Sequence, residues 1–183
     1  MKKWEKLGEE VLIKTPIFEF KSRDLLHSQK HTHHKFYIID SKDWVNIIPI
    51  TTNNEIVLIR QYRAGSDEIT IEVPGGIIDG NETPEETAKR ELEEETGCIA
   101  KDFVKIGEVY PNPAFITNKC HYVVALDVQP GGTINFDPSE YIEKFTVPMS
   151  EIPGMIKRGE INHAITLDAF LYLHLSGIKD FKL

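Results

Sequence analysis

Glu72-Val73-Pro74-Gly75-Gly76, running on through Ile77-Ile78-Asp79-Gly80-Asn81-Glu82 and closing on Arg90-Glu91-Leu92-Glu93-Glu94-Glu95-Thr96-Gly97-Cys98, carries the strongest structural signals of the chain. Proline ends the strand that leads into it, because proline cannot donate to a ladder, and the two glycines open backbone conformations closed to other residues. Bare carbonyls and amides can therefore approach a ligand there. Thr83-Pro84-Glu85-Glu86 then starts a helix, with threonine at the N-cap, proline at the first helical position and glutamate placed to close a capping box. Gly97 supplies the stop. Strand, glycine turn and acidic helix follow one another directly.

Working outward, Glu55-Ile56-Val57-Leu58-Ile59-Arg60-Gln61-Tyr62-Arg63 and the alternating run Glu68 to Val73 flank Gly65-Ser66-Asp67, which predicts a hairpin feeding the stretch. Before it, Phe36 to Ile39 and Trp44 to Ile50 read as strands, with a turn at Asn53-Asn54. Val11 to Phe20, interrupted by Pro16, reads as a broken or edge strand. His31, His33 and His34 lack spaced partners on a predicted element and read as a solvated hairpin tip rather than as metal ligands. Downstream, Phe103 to Tyr110, His121 to Val128 and Tyr141 to Val147 are strand-like, separated by Pro111-Asn112-Pro113, by Pro130-Gly131-Gly132 and by a loop through Asp137 to Glu140. Ser150 is read as the cap of a helix Glu151 to Arg158, and a last helix runs from Ala164 to Leu175, stopped by Gly177. Met155, Phe170, Leu171 and Tyr172 are assigned to the core. Strands alternating with a few helices predict an α/β sandwich, a mixed sheet covered by helices on each side.

The 183 residues suffice for one sizeable core, and 40% hydrophobic with 27% charged residues is ordinary for a globular chain. A net charge of -8 repels the backbone of nucleic acid and argues against such a partner. Small anionic ligands stay possible where cations neutralise them. Cys98 and Cys120 make neither a disulfide framework nor a zinc set. The start, Met1-Lys2-Lys3-Trp4-Glu5-Lys6, has no signal-like apolar run, and no stretch is apolar enough to span a bilayer, so a cytoplasmic location without membrane contact is expected.

At about 100° per residue, with Glu91 as zero, Glu94 projects near 300° and Glu95 near 40°, beside Ala88 and Leu92 at roughly 60° and 100°. Glu86 and Glu93 fall on the opposite side, expected to face water. Like charges at these spacings destabilise a helix by a few tenths of a kcal/mol per pair, and late in the helix the macrodipole disfavours them further. Something positive must compensate. Helix geometry leaves two readings, a divalent-cation site or a structural acidic face relieved by Arg90.

The spacing Gly-x5-Glu-x7-Arg-Glu-U-x-Glu-Glu-x-Gly-U, with U aliphatic, is filled by Gly76, Glu82, Arg90, Glu91, Leu92, Glu94, Glu95 and Gly97, and departs only at Cys98. It resembles the box of the Nudix hydrolases. That resemblance implies a Nudix-type α/β/α sandwich and hydrolysis of a diphosphate linked to another moiety with Mg²⁺ or Mn²⁺. Carried over by position, it makes Glu91, Glu94, Glu95 and the carbonyl of Gly75 metal ligands, with Glu82 and Arg90 orienting them.

From about Trp44 to Ala169 the chain resembles the ADP-ribose pyrophosphatase branch, through Arg60-Gln61-Tyr62-Arg63, Glu72 to Gly76 and Pro113. The branch implies substrate contacts at Arg60, Arg63, Glu72, Gly76, Pro113 and Asn118, and a general base at Glu140; on the residues alone, the arginines fit a surface strand end and Glu140 a solvated loop equally well. Asn112-Pro113-Ala114 stands where many members carry Ser-Pro-Gly, and Asn118 near where many carry an acid. Nucleoside diphosphate sugars are therefore the expected class, with ADP-ribose, cleaved to AMP and ribose 5-phosphate, foremost. Dinucleoside polyphosphates, nucleoside triphosphates and a non-catalytic nucleotide sensor are the alternatives; the sensor expects an eroded acidic set, and none of it is missing. The branch also implies a homodimer, with residues 1-44 as strand-rich dimerisation element and 45-183 as the hydrolase domain.

Overall fold

The computed structural model describes residues 2–136 and 141–183. Three ten-residue strands, β1 (Glu5–Lys14), β2 (Phe18–His27) and β3 (Thr32–Ser41), form an antiparallel meander. The segment around Pro16 is thus a turn between two strands rather than one broken strand. Thr15 makes it: its hydroxyl donates to the Phe18 carbonyl at 2.8 Å and accepts the Phe18 N–H at 3.0 Å, while Pro16 needs no donor there. Of the histidine-rich segment, His31 lies at the β2–β3 hairpin tip with a φ of 52°, whereas His33 and His34 are part of β3 and pair with Leu26 and Leu25. Residues Tyr110–Lys119 belong to the same compact unit, joined through a parallel bridge between Ile39 and Ile116 and by the Thr117 hydroxyl on Asp40 at 2.6 Å.

The second unit, Trp44–Val109 with Cys120–Leu183, holds β4 (Trp44–Thr51), β5 (Glu55–Arg63), β6 (Glu68–Glu72), β7 (Gly75–Ile77), α1 (Pro84–Thr96), β8 (Cys98–Ile99), β9 (Asp102–Val109), β10 (Cys120–Pro130), β11 (Ile142–Pro148), α2 (Ile152–Lys157) and α3 (Ala164–Ser176). Its sheet runs β11-β5-β4-β10-β8, with β6 on β5, β7 on β4 and β9 on β10. Among the described residues of this sheet, β4 and β10 are the pair that runs parallel, so the sheet is mixed as expected. Both are near-continuous apolar runs because both faces are covered. Val45, Ile47, Val123 and Ala125 point to the side where α1 brings Ala88 and Leu92, whereas Ile48, Ile50, Tyr122 and Val124 meet Met155, Phe170 and Leu173 of α2 and α3. The strand period of two thus feeds two cores, and the unit is an α/β/α sandwich. Among the described residues no helix is long and apolar enough to cross a membrane.

Two local expectations are corrected. Ser150 lies in a 3₁₀ turn, Met149–Glu151, and caps nothing; α2 starts at Ile152. With Ser150 as N-cap the third helical residue would be Pro153, which has no N–H to offer the hydroxyl. Leu171 is 43% exposed although Phe170 and Leu173 are fully buried, because α3 is apolar on nearly all sides and its sequence does not mark the buried face.

Candidate active site

The glycine pair does more than end a strand. Pro74 breaks the ladder after β6, and its carbonyl accepts the Ile47 N–H at 2.8 Å. Gly75 and Gly76 then pair with Asn46 and Val45 of β4 as the short strand β7. Backbone dictates glycine at Gly75, whereas a side chain at Gly76 would displace a carboxylate. A Cβ on Gly75 would lie 2.2 Å from the Val45 carbonyl oxygen, and one on Gly76 would lie 2.1 Å from Glu91 Oε1. The carboxylate of Glu91 therefore rests where a side chain would otherwise be, against open backbone.

The helix that carries Glu91 is capped as its sequence demands. Thr83 Oγ1 accepts the Glu86 N–H and Glu86 accepts the Thr83 N–H at 2.8 Å, while Gly97 closes the other end at φ 63°. Arg90 organises its acidic face. Its Nη1 donates to Glu91 Oε1 at 2.8 Å and to Glu94 Oε2 at 3.0 Å, its Nε and Nη2 reach Glu82 at 3.3 and 3.2 Å, and Nη2 also reaches the Ile77 carbonyl at 3.3 Å. Glu82 is held from its other side by the Thr87 hydroxyl at 2.8 Å. Burial of the guanidinium opposes its charge, but the Glu82 hydrogen bond and the Glu91 charge outweigh this and raise its pKa. Hydrogen bonds from Arg90 and then Thr87 hold Glu82 below the ordinary carboxylate range.

Glu95 is placed differently. It is 3% exposed, and its Oε2 accepts the Gly75 N–H at 2.9 Å, so one acid of the helix is tied to the glycine strand. Among the described residues no three His, Cys, Asp or Glu side chains close into a cation cage. Mg²⁺ does not require one; it keeps waters and takes a few carboxylate and phosphate oxygens. The donor set fits such an ion: Glu91 and Glu94 present oxygens to one cationic nitrogen, beside backbone that carries no side chain. All the donors are hard oxygens, which suit Mg²⁺ or Mn²⁺ rather than thiophilic metals.

A second polar cluster lies in the same unit. Arg63 grips Glu72 with a fork, Nε to Oε1 at 2.8 Å and Nη2 to Oε2 at 2.7 Å. Glu72 is 1% exposed and also accepts the Thr70 hydroxyl. Burial pushes its carboxyl up, yet Arg63's hydrogen bonds and charge, with Thr70, bring it below the usual range. His163 Nδ1 lies 3.3 Å from Glu72 Oε2. Arg60 lies with its guanidinium 3.9 Å from the centre of the Phe145 ring.

The other expected substrate residues belong to the first unit. Pro113 is exposed in a turn, and Asn118 is 1% exposed with neither amide atom partnered among the described residues. Glu140 lies outside the described residues. Of the two glutamates expected to face water, Glu86 does, but Glu93 does not: its Oε1 accepts the Thr133 N–H at 3.2 Å, and Gly132 packs so close that a Cβ there would lie 2.5 Å from Glu93 Cγ. Helix projection cannot anticipate a loop that returns from β10. Lys144 and His163 were also invisible in the sequence. Lys144 Nζ donates to the Thr96 carbonyl at 2.5 Å, supplying the positive charge that the last turn of α1 lacks. A basic residue on a late strand and a histidine preceding a helix carry no local signal of these partners.

Residues 41–170 match the family model described as NUDIX domain. The chain is 29% identical over 174 residues, 92% of its length and 94% of the relative's, to the ADP-ribose pyrophosphatase of Bacillus subtilis (strain 168). It is 31% identical to the methanol dehydrogenase activator of Bacillus methanolicus over 72% of this chain and 71% of that protein. To the GDP-mannose pyrophosphatase of Salmonella typhimurium it is 30% identical, over 80% and 81% of the two chains. A crystal structure of an ADP compounds hydrolase superposes with a TM-score of 0.88 at 24% identity, over 100% of this chain and 98% of that one, a likeness of fold.

Proposed function

Since the chain belongs to the Nudix family and is a pyrophosphohydrolase of nucleotide and sugar-diphosphate compounds, we propose that its substrate is ADP-ribose, cleaved with Mg²⁺ or Mn²⁺ to AMP and ribose 5-phosphate. The observation that carries the chemistry is the convergence of Glu91 and Glu94 oxygens on one Arg90 nitrogen, beside the bare backbone of Gly76. In this reading Glu91, Glu94, Glu95 and the Gly75 carbonyl are the metal ligands, and Glu82 and Arg90 hold them in register. A divalent ion bound there neutralises the pyrophosphate and lowers the pKa of the attacking water.

Water forms a new bond to one phosphorus in line with the bridging oxygen, whose bond breaks and whose electrons leave with the other phosphate. The water's proton passes to a base, assigned by resemblance to Glu140. Arg63 and Arg60 are the cationic contacts for phosphate or ribose, and Glu72 serves by fixing Arg63. Among the described residues, the buried amide donor and acceptor of Asn118 have no partners, and vicinal sugar hydroxyls satisfy such a pair. Its neutral amide and the relatives named as GDP-mannose pyrophosphatases favour a second reading, in which GDP-mannose is the better substrate. Leu7, Leu12, Ile13 and Tyr37, large apolar side chains exposed on the N-terminal sheet, support a homodimer.

The test is a panel of ADP-ribose, GDP-mannose, dinucleoside polyphosphates and nucleoside triphosphates with Mg²⁺ and Mn²⁺, assayed for phosphomonoester release. Fastest turnover of ADP-ribose is expected. Preference for GDP-mannose selects the second reading, and tight calorimetric binding without any turnover sinks the hydrolase.

A further inference from the structure

Glu72 has four close donors or potential donors on its two oxygens: Arg63 twice, Thr70 on Oε1 and His163 on Oε2. Three of these come from the β5–β6 hairpin, whereas His163 stands immediately before α3, on the opposite side of a long stretch of chain. Its Nδ1 also lies 3.1 Å from the buried Thr166 hydroxyl, which fixes the rotation of the ring. His163 does not use its side chain to cap α3, so the position has no helix-capping duty that would explain the ring's direction.

The geometry points to His163 as a positioning residue for substrate binding: with its Nδ1 3.3 Å from Glu72 Oε2 it braces the carboxylate whose fork aims Arg63 at the anionic part of the substrate. The inference rests on the reading of Arg63 as a phosphate or ribose contact. The charged groups facing the imidazole are Glu72 and Arg63. Burial disfavours the imidazolium, Glu72 favours it and Arg63 disfavours it, and the net effect lowers the ring's pKa. The lowering favours the neutral ring. A neutral ring braces the buried fork without adding a second cation that would compete with Arg63 for the carboxylate.

Two amide substitutions separate this from a packing role. Asn places its amide nitrogen close to the position of Nδ1, whereas Gln carries its amide out toward Nε2 and leaves Glu72 without the polar contact; both are small polar changes at a partly exposed site. His163→Asn, His163→Gln, Arg63→Ala and the Arg63→Ala/His163→Gln double variant are compared on whichever diphosphate sugar of the panel turns over fastest, alongside calorimetric binding of that compound to metal-free protein. His163→Gln is expected to weaken binding and raise KM about tenfold with kcat held within about twofold. His163→Asn is expected to stay near the parent, and His163→Gln to add nothing in the Arg63→Ala background. Equal KM for His163→Gln and the parent, equal losses in both amide variants, or full additivity with Arg63→Ala overturns the inference alone. An Arg63→Ala protein with unchanged KM and binding overturns the reading of Arg63 and the inference with it.

Discussion

Gly76→Ala isolates the candidate metal site from the fold. The new Cβ would stand 2.1 Å from Glu91 Oε1, 2.4 Å from Cδ and 2.8 Å from Oε2, and nothing else is among its nearest contacts. Real Cβ contacts do not fall under 3.0 Å, so the Glu91 carboxylate must retreat by at least about 0.9 Å. The retreat is open to it, because a glutamate's end swings on flexible torsions, and Gly76 is not held at a positive φ that alanine would resist. Misplacing a catalytic group by ~1 Å costs on the order of 100-fold in rate, about 2.7 kcal/mol of barrier. Stability should change by no more than ~1 kcal/mol, since the strand backbone is untouched. Gly75→Ala is the counterpart. There the clash is with backbone, 2.2 Å from the Val45 oxygen and 3.1 Å from Asn46 Cα, so β7 must leave β4 and the protein loses about 1–3 kcal/mol of stability. Thermal melts and initial rates at saturating Mg²⁺ read both variants. Parental kcat in Gly76→Ala, or loss of activity only in step with unfolding, would refute the placement of Glu91 at the reaction centre.

Three further outcomes follow from the same contacts. Arg90→Lys replaces a three-nitrogen fork by one ammonium and cannot hold Glu82, Glu91 and Glu94 together; activity or Mg²⁺ affinity should fall about 10- to 100-fold, read by Mg²⁺ titration of the rate. Glu72 has a folded-state pKa below its ordinary 4.5, so its contribution to stability is complete above that value and is lost as pH falls through the depressed one. Glu72→Gln should therefore cost about 1–3 kcal/mol in urea unfolding near pH ~7, with the gap to the parent shrinking toward pH ~3; a constant gap contradicts the assignment. Lys144→Met removes the only side-chain cation seen on the end carbonyls of α1 among the described residues, and should lower stability by ~0.5–1 kcal/mol at low salt and less at high salt, with Lys144→Arg near the parent.

What was legible in the sequence is what neighbours along the chain decide. Thr83, Pro84, Glu86 and Gly97 act within one turn of their own helix, and the structure forms both halves of the capping box and the left-handed stop. The strands of the buried sheet announce themselves by runs of Val and Ile, because each face has a core to feed. Glu93 projects toward solvent on the helix, but Gly131–Asn135 folds back over the last turn of α1, with the Asn135 N–H on the Glu94 carbonyl at 3.0 Å. Ser150 and Leu171 depart from expectation for local reasons, a downstream proline and an all-round apolar helix. Glu95 shows the limit most clearly. Its projection places it at the border of the apolar stripe, where a carboxylate would be expected to turn outward, since burying an unpaired charge costs several kcal/mol. It stays inside because the Gly75 N–H meets it at 2.9 Å, and Gly75 can stand there only because it has no side chain to strike β4. The acid on the helix and the missing side chain on the strand are thus one feature, and it becomes visible only when residues twenty positions apart are brought to hydrogen-bonding distance.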